Sequence, residues 1–591
     1  MGYQSLQACV ADLERTGRLI RIEQEVDAHL EAACIARRVF QAAGPAVFFA
    51  RVKNCAFPMV GNMFGTMERA RYIFRDTLEA VGRLVDLRLN PTEVLRRPWR
   101  FLSLPRTAWH LLPQDVADGP VMACRTTVSA LPRLQSWPDD GGPFITLPLV
   151  YTEDPKRPGP WRSNLGMYRI QLTGNQYQTD AEVGMHYQIH RGIGIHHAAA
   201  VAKGEKLPVT VHVGGPPALT LAAIMPLPEG MPEIAFAGAL GDQRTRLSDG
   251  VLVDTDFVLK GFVDPTRRLP EGPFGDHLGY YSLAHDFPVM TVASVHHRRD
   301  AIWPFTTVGR PPQEDTMFGA LIHELTGPLI PAVLPGVKAV HAVDAAGVHP
   351  LLLAIGSERY TPYEKRTSPR EILTQANAIL GQGQLSLAKY LLIVAGDDNP
   401  NLSINDIPAF LHHLLSRIDF RRDLHFQTCT TIDTLDYSSG TMHMGSKLVM
   451  AAVGAPRRAL SNEVPNLPAS LRNPRLVMPG VLAVEGDPIV DHVPTDPRWE
   501  GTPLWVVVDD SAFTAATLSN FLWVTFTRSN PAADVHGIDA FIEQKHWGCR
   551  GPLVIDARRK PHHAPPLEED PAVMHRVDAL AAPGGPLHGI L

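Results

Sequence analysis

The segment Glu271-Gly-Pro-Phe-Gly-Asp276, followed by His277-Leu-Gly-Tyr-Tyr281, places two carboxylates five positions apart across a run rich in glycine and proline. Pro273 and its flanking glycines disfavour both a helix and a regular strand, so the sequence predicts a shaped loop. In such a loop the two acids can converge on one small volume, where like charges repel. One carboxylate would then ionise while the other keeps its proton, which suits an acid/base pair. A solvated surface turn is the competing interpretation.

Further motifs on both sides of this loop occur in a fixed order. They are Gly44-Pro-Ala-Val-Phe-Phe49, Ser163-Asn164-Leu-Gly-Met-Tyr168-Arg169, Met185-His186-Tyr187, Met225-Pro226-Leu-Pro-Glu-Gly-Met-Pro-Glu233, Lys389-Tyr-Leu-Leu-Ile-Val394 and Gly445-Ser-Lys447. In these motifs the sequence resembles the UbiD family of (de)carboxylases, which use prenylated FMN. The resemblance reaches at least Lys447, and the residues beyond about position 460 are predicted to be an elaboration of the last domain.

Composition excludes several classes of protein. The net charge is −6 and no basic stripe is present, so nucleic acid is not expected as a partner. Six scattered cysteines without a CxxC pair exclude a disulfide framework and a cysteine zinc site. No uninterrupted apolar run is long enough to cross a membrane, and the start of the chain lacks a secretory signal. We therefore expect a cytoplasmic enzyme.

The predicted fold class is α/β, in the form of several α+β domains, because 591 residues exceed a single compact core. Residues 1–115 are predicted to form a small amino-terminal α/β segment. Closely spaced strands in 116–315 indicate an antiparallel barrel, and the resemblance implies a flavin-reductase-like split β-barrel that binds the cofactor and metal. Residues 316–335 are predicted to be a linker helix. Residues 336–591 are predicted to be an α/β domain with an extension, used for oligomerisation and the substrate pocket.

Local patterns predict individual elements. Apolar residues at helical spacing indicate helices over 5–20, with Ser5 as the cap, over 30–43, over 317–329 and from 406 onward. Apolar runs bounded by turn residues indicate strands over 46–50, 209–213, 252–261, 288–297, 302–308, 390–395, 505–508 and 521–525. No internal repeat is detected in the sequence.

The resemblance implies catalytic roles for Arg169, Glu271 and Asp276. A guanidinium presents a planar fork to carboxylates and stays charged, so Arg169 would pair with Glu271 and orient the substrate carboxylate. Asp276 would be the proton donor. Phe274 and Leu278 indicate partly apolar surroundings, which are expected to raise its pKa and keep it protonated.

The resemblance also implies a cofactor and metal site. Asn164, His186 and Glu233 would bind a divalent ion, and this mostly hard donor set suits Mn²⁺ or Mg²⁺ bridging to the flavin phosphate. The i,i+4 pair His186 and His190 suggests zinc only weakly, and His190 is predicted to be structural. Residues 222–225 would supply carbonyl groups to K⁺. The predicted cofactor-binding residues are Asn164, Met167, Tyr168, Arg169, Met185, Ala222, Ala223, Met225 and Lys389.

The predicted function is the non-oxidative, reversible decarboxylation of an aromatic, heteroaromatic or α,β-unsaturated acid, with a polyprenyl-hydroxybenzoate of quinone biosynthesis among the candidates. A flavin prenyltransferase would supply the cofactor, and a homo-oligomer, dimer or hexamer, is expected. Two alternatives stay open: an FMN-dependent reductase and a non-catalytic subunit of a multi-chain carboxylase. The sequence does not identify the acid or the physiological direction.

Overall fold

The computed structural model describes residues 2–90, 92, 96–97, 99, 102–187, 192–227 and 230–591, apart from the side chain of Arg88. The predicted structural role of His190 lies outside the described residues. The chain forms two compact units: unit 1 contains residues 1–325 and 566–591, and unit 2 contains residues 326–565. No helix among the described residues is long and apolar enough to cross a bilayer.

The predicted mixture of helices and strands in several domains is confirmed. The structure places helices α1 (Leu6–Arg15), α2 (Glu31–Gln41), α3 (Met67–Ile73), α4 (Leu78–Leu89), α5 (Leu104–His110), α6 (Gly192–Lys203), α7 (Pro217–Ala222), α8 (Glu233–Gly241), α9 (Glu314–Thr326), α10 (Ile330–Val333), α11 (Glu371–Leu380), α12 (Ile407–Leu415), α13 (Ser511–Ala516), α14 (Leu518–Arg528), α15 (Pro531–Asp534) and α16 (Pro571–Ala581).

The strands of unit 1 are β1 (Leu19–Val26), β2 (Ala46–Val52), β3 (Met59–Gly61), β4 (Gln114–Asp115), β5 (Cys124–Thr126), β6 (Phe144–Ile145), β7 (Pro148–Glu153), β8 (Ser163–Gly166), β9 (Ile170–Gln171), β10 (Glu182–Met185), β11 (Leu207–Val213), β12 (Arg246–Ser248), β13 (Val251–Leu252), β14 (Phe257–Glu271), β15 (Phe274–Gly275), β16 (Tyr281–Ser282), β17 (His285–His297) and β18 (Trp303–Phe305). Those of unit 2 are β19 (Ala339–Ala342), β20 (Leu351–Gly356), β21 (Tyr390–Ala395), β22 (Leu424–Thr430), β23 (Gly445–Ala452), β24 (Leu471–Met478), β25 (Val481–Gly486), β26 (Leu504–Val507), β27 (Val535–Gly537), β28 (Ala540–Glu543), β29 (His546–Cys549) and β30 (Leu553–Asp556).

Helix α1 shows why the amino-terminal prediction was only partly right. The Ser5 hydroxyl accepts the N–H of Ala8 at 3.2 Å and caps the helix, as expected. The helix ends at Arg15, well before the predicted position 20, because Gly17 adopts φ = +70° and the N–H of Arg18 donates back to the carbonyl of Leu13 at 2.8 Å. The chain then enters β1, which pairs in parallel with β2.

The central sheet of unit 1 positions most of the candidate site residues. Its strand order is β6-β9-β10-β17-β14-β11-β7-β8, with β5 added on β17, and these pairs are antiparallel as predicted. The predicted strand 252–261 is interrupted, because a turn separates β13 from β14. The predicted strand 302–308 is β18, which pairs in parallel with β3 and therefore belongs to the amino-terminal sheet.

The two larger sheets of unit 2 have the same topology. Their orders are β19-β20-β21-β23-β22 and β24-β25-β26-β30-β27, and each has three central parallel strands flanked by antiparallel edge strands. After one intervening residue, β21 is followed by Asp397-Asp398 and β26 by Asp509-Asp510. The sequence shows no internal repeat, whereas the fold of unit 2 contains one sheet topology twice.

Helix α14 corrects the predicted strand over 521–525. The Thr517 hydroxyl caps the helix by accepting the N–H of Asn520 at 3.0 Å, and residues 521–528 are all buried. A short apolar run has no polar face to show its period, so a buried helix and a buried strand look alike in sequence.

The last residues of the chain return to unit 1, whereas the sequence assigned them to the segment 336–591. Helix α16 packs on α2, and its Val573 and Val577 are buried in the main core of unit 1. The predicted boundaries at 115, 315 and 335 stay predictions.

Candidate active site

The segment between β14 and β16 is shaped by buried hydrogen bonds, but the predicted loop is only partly right, because Glu271 ends β14 and Phe274–Gly275 form β15, which pairs with β16. Gly272 adopts φ = +93°, and its N–H donates to the side-chain oxygen of Gln171 at 2.9 Å. The N–H of Gly275 donates to Oδ1 of Asp140 at 2.7 Å, and that carboxylate also accepts the N–H groups of Ser136 and Trp137. The loop backbone is therefore held from both sides by side chains of neighbouring strands and turns.

The predicted convergence of the two loop acids is confirmed, and Arg169 is the group on which they converge. Its Nε and Nη2 donate to the two oxygens of Glu271, each at 2.8 Å, and its Nη1 donates to Oδ2 of Asp276. Nη2 also donates to the hydroxyl of Ser282 at 2.7 Å. The guanidinium carbon lies 4.6 Å from the centre of the Phe274 ring. All of these groups are largely buried, so the attraction is poorly screened by solvent.

Arg169 lowers the pKa of both acids, and His277 adds to its effect on Asp276. Burial favours the neutral carboxyl group, but Arg169 and His186 outweigh it and lower the pKa of Glu271 to about 2. Burial likewise opposes ionisation of Asp276, yet hydrogen bonds from His277 and the charge of Arg169 lower its pKa below the ordinary value. The expected raised pKa of Asp276 is therefore wrong, because the hydrogen bonds from His277 and the charge of Arg169 together outweigh burial.

His186 has a buried nitrogen that faces no hydrogen-bond partner among the described residues. Its Nδ1 lies 3.0 Å from Oε2 of Glu271 and 3.0 Å from Nη2 of Arg169. Both hydrogens of Nη2 are committed to Glu271 and Ser282, so Nδ1–H is assigned as the donor to Glu271. Burial and the charge of Arg169 lower the pKa of His186, and its Nε2 keeps a free lone pair. A neutral imidazole oriented by a carboxylate is the usual form of a metal-binding histidine.

The other two predicted metal ligands lie next to each other. Asn164 is in β8, and Glu233 begins α8 and accepts the N–H of Leu165 at 3.0 Å. The amide of Asn164 is 3.3 Å from the hydroxyl of Tyr168, and burial raises the pKa of Glu233. One amide oxygen, one carboxylate and one neutral imidazole fit a hard divalent ion such as Mn²⁺ or Mg²⁺. Their joint ligation stays a prediction.

The predicted cofactor-binding residues fall into separate groups. Met167, Ala222, Ala223 and Met225 belong to one hydrophobic cluster of unit 1, whereas Tyr168 and Met185 belong to another. The carbonyl of Ala222 accepts the N–H of Met225 at 3.2 Å. Binding of K⁺ by residues 222–225 stays a prediction.

Lys389 lies in unit 2, where it is only 1% exposed. Its ammonium group is 2.7 Å from Oδ2 of Asp436 and 2.9 Å from the hydroxyl of Ser438. Burial lowers its pKa. Its assignment as a phosphate ligand stays a prediction.

Sequence reasoning missed four residues that support the site, namely Asp140, Gln171, His277 and Ser282. Asp140 lies in a run of turn residues, Pro138-Asp-Asp-Gly-Gly142, which carries no sign of burial. Burial nevertheless raises the pKa of Asp140 to about 6. Only the tertiary structure shows that this turn clamps the loop.

Comparison with protein families gives three consecutive matches. The family models describe the N-terminal domain (residues 10–88), the Rift-related domain (residues 114–311) and the C-terminal domain (residues 316–452) of 3-octaprenyl-4-hydroxybenzoate carboxy-lyase. The second sheet of unit 2, β24 to β30, lies beyond these matches.

Relatives and solved structures agree with these matches. An uncharacterized protein of Chlamydia trachomatis is 37% identical over 97% of this chain and 98% of its own length. A Chlamydia pneumoniae protein, named as one of the subunits of 4-hydroxybenzoate decarboxylase, is 35% identical over 95% of both chains. The structure of vanillic acid decarboxylase from Sedimentibacter hydroxybenzoicus shares the fold, with a TM-score of 0.65 and 21% identity over 79% of this chain and 96% of that chain.

Proposed function

This chain belongs to the UbiD family, and we propose that it is a non-oxidative, reversible decarboxylase of an aromatic, heteroaromatic or α,β-unsaturated carboxylic acid. The observation that carries the proposal is the buried fork of Arg169 on Glu271 and Asp276. A guanidinium in a dry site has the planar geometry to orient a substrate carboxylate, and protonation of Asp276 would release the charge that this third carboxylate needs.

Decarboxylation at an sp² carbon leaves electrons in an orbital that conjugation cannot reach, and no amino-acid side chain is an electron sink. Prenylated FMN supplies that sink when it is bound. We propose that Asn164, His186 and Glu233 hold a Mn²⁺ or Mg²⁺ ion that binds the flavin phosphate. The free Nε2 lone pair of His186 and the raised pKa of half-buried Glu233 support this assignment, since a cation would satisfy both groups.

The proton in this proposal is carried by Asp276. In the free protein its pKa is lowered, because His277 and Arg169 offset the cost of burial, so it begins as a carboxylate. A substrate carboxylate that engages Arg169 adds a like charge and takes up part of the guanidinium's attraction. Both effects raise the pKa of Asp276. Asp276 would therefore take up a proton when the acid binds and return it to the carbon that loses CO₂.

The substrate class is proposed from the relatives. The name of the Chlamydia pneumoniae protein indicates a hydroxybenzoate, so aromatic hydroxy acids come first among the candidates. We also propose a homo-oligomer that obtains its cofactor from a flavin prenyltransferase. The presence of Arg169, Glu271 and Asp276 in one hydrogen-bonded cluster supports a catalytic chain over a non-catalytic subunit. Hydride transfer by a simple FMN reductase has no use for this cluster.

The test is a decarboxylation screen with protein coexpressed with a flavin prenyltransferase. We expect CO₂ release from at least one hydroxybenzoate or related acid, and mass spectrometry should find a released flavin heavier than FMN by a prenyl-derived ring. Protein expressed without the prenyltransferase is the control and should be inactive. Active enzyme that releases only FMN, or NAD(P)H consumption without decarboxylation, would contradict the proposal.

A further inference from the structure

We propose that residues 566–570, called the strap below, are a positioning element of the candidate active site, with Glu569 as the key side chain. The expected effect on kcat rests on the proposed function, whereas the expected effect on hydrogen exchange does not. The strap begins the segment that returns to unit 1 at residue 566.

The strap contacts the turn that carries Asp276. The N–H of Asp276 donates to the carbonyl of Tyr280 at 3.0 Å, and the N–H of Gly279 donates to the carbonyl of Asp276 at 2.9 Å. The strap adds a strand-like edge to this turn, because Pro566 forms an antiparallel bridge with Tyr280. The N–H of Leu567 donates to the carbonyl of Gly279 at 3.1 Å. Two backbone contacts thus hold the residues that close the Asp276 turn.

Glu569 reaches the other side of the loop through two intermediates. Its carboxylate accepts from Nε of Arg37 at 3.2 Å, and Arg37 is only 4% exposed. The guanidinium carbon of Arg37 lies 4.0 Å from the centre of the Trp137 ring, and Nη1 donates to the carbonyl of Ser136.

Trp137 lies directly against the loop. A Cβ placed on Gly275 would be 2.0 Å from the Trp137 ring, so the indole occupies the space beside that glycine. The backbone N–H of Trp137 donates to Asp140, whose other oxygen holds the N–H of Gly275. Displacing Trp137 would therefore loosen the clamp on the loop between Glu271 and Asp276.

The strap is tied to unit 1 independently of this contact chain. Asp570 caps α16 by accepting the N–H groups of Ala572 and Val573. On α2, the residue after Arg37 is Arg38, which donates to Asp578 at 2.6 Å. Arg37 with Glu569 and Arg38 with Asp578 are thus both ion pairs between α2 and the segment 566–591, which Glu31 and Arg576 also join. Of the first two pairs, only Arg37 with Glu569 leads to Trp137 and the loop.

This arrangement supplies a matched pair of variants, Glu569→Gln and Asp578→Asn. Each removes one carboxylate charge that faces an arginine of α2. Hydrogen exchange is measured by mass spectrometry on the full-length protein, for the peptide that covers residues 272–281. We expect Glu569→Gln to speed exchange of this peptide about tenfold, since the turn opens more easily, and Asp578→Asn to leave it unchanged. Equal exchange in both variants would overturn the proposal.

A second pair tests the backbone contact. Leu567→Pro removes the N–H that donates to Gly279, whereas Leu567→Ala keeps it. We expect faster exchange at residues 272–281 in the proline variant than in the alanine variant. The same rate in both variants would remove this contact from the proposal and count against the strap.

The kinetic readout separates positioning from general stability. In holoenzyme, Glu569→Gln should lower kcat about tenfold, with KM and flavin content unchanged, because misplacement of a catalytic group by a fraction of an ångström slows the chemical step. Rates are measured well below both thermal midpoints, because Glu569→Gln leaves the buried Arg37 without its partner and should lower the midpoint more than Asp578→Asn does. Faster exchange without decarboxylation of any acid would support the strap and contradict the proposed function. Unchanged exchange with normal decarboxylation would contradict the strap alone.

Discussion

Each of the two units contains a buried cationic side chain bound to carboxylate. The two arrangements differ in whether a buried polar atom beside the cation lacks a hydrogen-bond partner. In unit 1 Arg169 serves Glu271 and Asp276, and the adjoining His186 has a buried Nε2 without a hydrogen-bond partner among the described residues. In unit 2 Lys389 faces Asp436 and Ser438 at normal hydrogen-bond distances, with the ammonium group and the Asp436 carboxylate both at most 2% exposed.

This difference distinguishes a candidate ligand-binding site from a structural ion pair. The imidazole of His186, next to the guanidinium that the two carboxylates share, has an unused lone pair and therefore leaves binding capacity for a group that the chain does not supply. Lys389, Asp436 and Ser438 have no buried side-chain atom that lacks a hydrogen-bond partner among the described residues. We therefore expect substitutions in the Arg169 cluster (Arg169, His186, Glu271 and Asp276) to change turnover. Substitutions in the Lys389 pair (Lys389 and Asp436) should change the free energy of unfolding.

The largest expected effect is that of Asp276→Asn on turnover. The amide keeps the size and most of the hydrogen bonds but removes the transferable proton, so turnover should fall about 10²–10⁴-fold. Flavin content should barely change, since Asp276 is not proposed to bind metal or phosphate. The measurement is the rate and the absorbance spectrum of the reconstituted variant. Near wild-type decarboxylation and solvent-proton exchange would show that Glu271 is the better candidate for the donor.

The Lys389 pair should respond to substitution in its stability. Lys389→Met leaves Asp436 buried without its cation, which costs about 3–5 kcal/mol of the free energy of unfolding. The double variant Lys389→Met with Asp436→Asn should recover part of that loss, because no unpaired charge remains. Chemical denaturation of the apo protein measures both. If Lys389→Met instead keeps apo stability and loses flavin, Lys389 is a phosphate ligand, as the sequence predicts, and the comparison fails.

The sequence predicted the loop acids and Arg169 because a guanidinium and two carboxylates are recognisable by residue type and order. It did not predict the protonation of Asp276, which depends on Arg169 lying between the two acids and on the hydrogen bond from His277. It also missed Asp140, because an aspartate in a turn and an aspartate that clamps a buried loop have the same local sequence.

The fold likewise has features that the sequence predicted and features that it did not. Capped helices with one apolar face, such as α1 and α12, were predicted at their correct starts, because caps and periodicity are local signals. The sequence did not predict helix α14, the pairing of β18 with β3 or the repeated sheet topology of unit 2. Each depends on which elements become neighbours, and an apolar run in sequence does not specify its neighbours.

The third prediction concerns the orientation of His186 by Glu271. Glu271→Gln replaces a carboxylate acceptor for Nδ1–H with a weaker, neutral one. Loss of such a partner typically lowers metal affinity about 10–100-fold. Titration of the apo protein with Mn²⁺, followed by electron paramagnetic resonance, measures this affinity. Asp276→Asn is the matched control, since it changes the other carboxylate on Arg169, and it should leave Mn²⁺ affinity unchanged. Equal affinity of the Glu271→Gln protein and the wild type would remove His186 from the proposed metal site.

The smallest expected effect is a fraction of one proton, and it tests whether the Arg169 cluster responds to a third carboxylate. The pKa of Asp276 is lowered in the free protein, so the group is ionised at neutral pH and binds a proton only as the pH falls toward that pKa. An unreactive carboxylate on Arg169 should raise the pKa of Asp276, which moves proton uptake toward neutral pH. Calorimetric titration in buffers of different ionisation enthalpy should then show uptake of a fraction of one proton per bound anion, and the uptake should grow as the pH is lowered from 8 to 6. The uncharged amide of the same acid is the control and should bind without uptake, as should the carboxylate in the Asp276→Asn variant. Uptake that persists in Asp276→Asn would assign the proton to another group and leave Asp276 a fixed partner of Arg169, much as Asp436 is of Lys389.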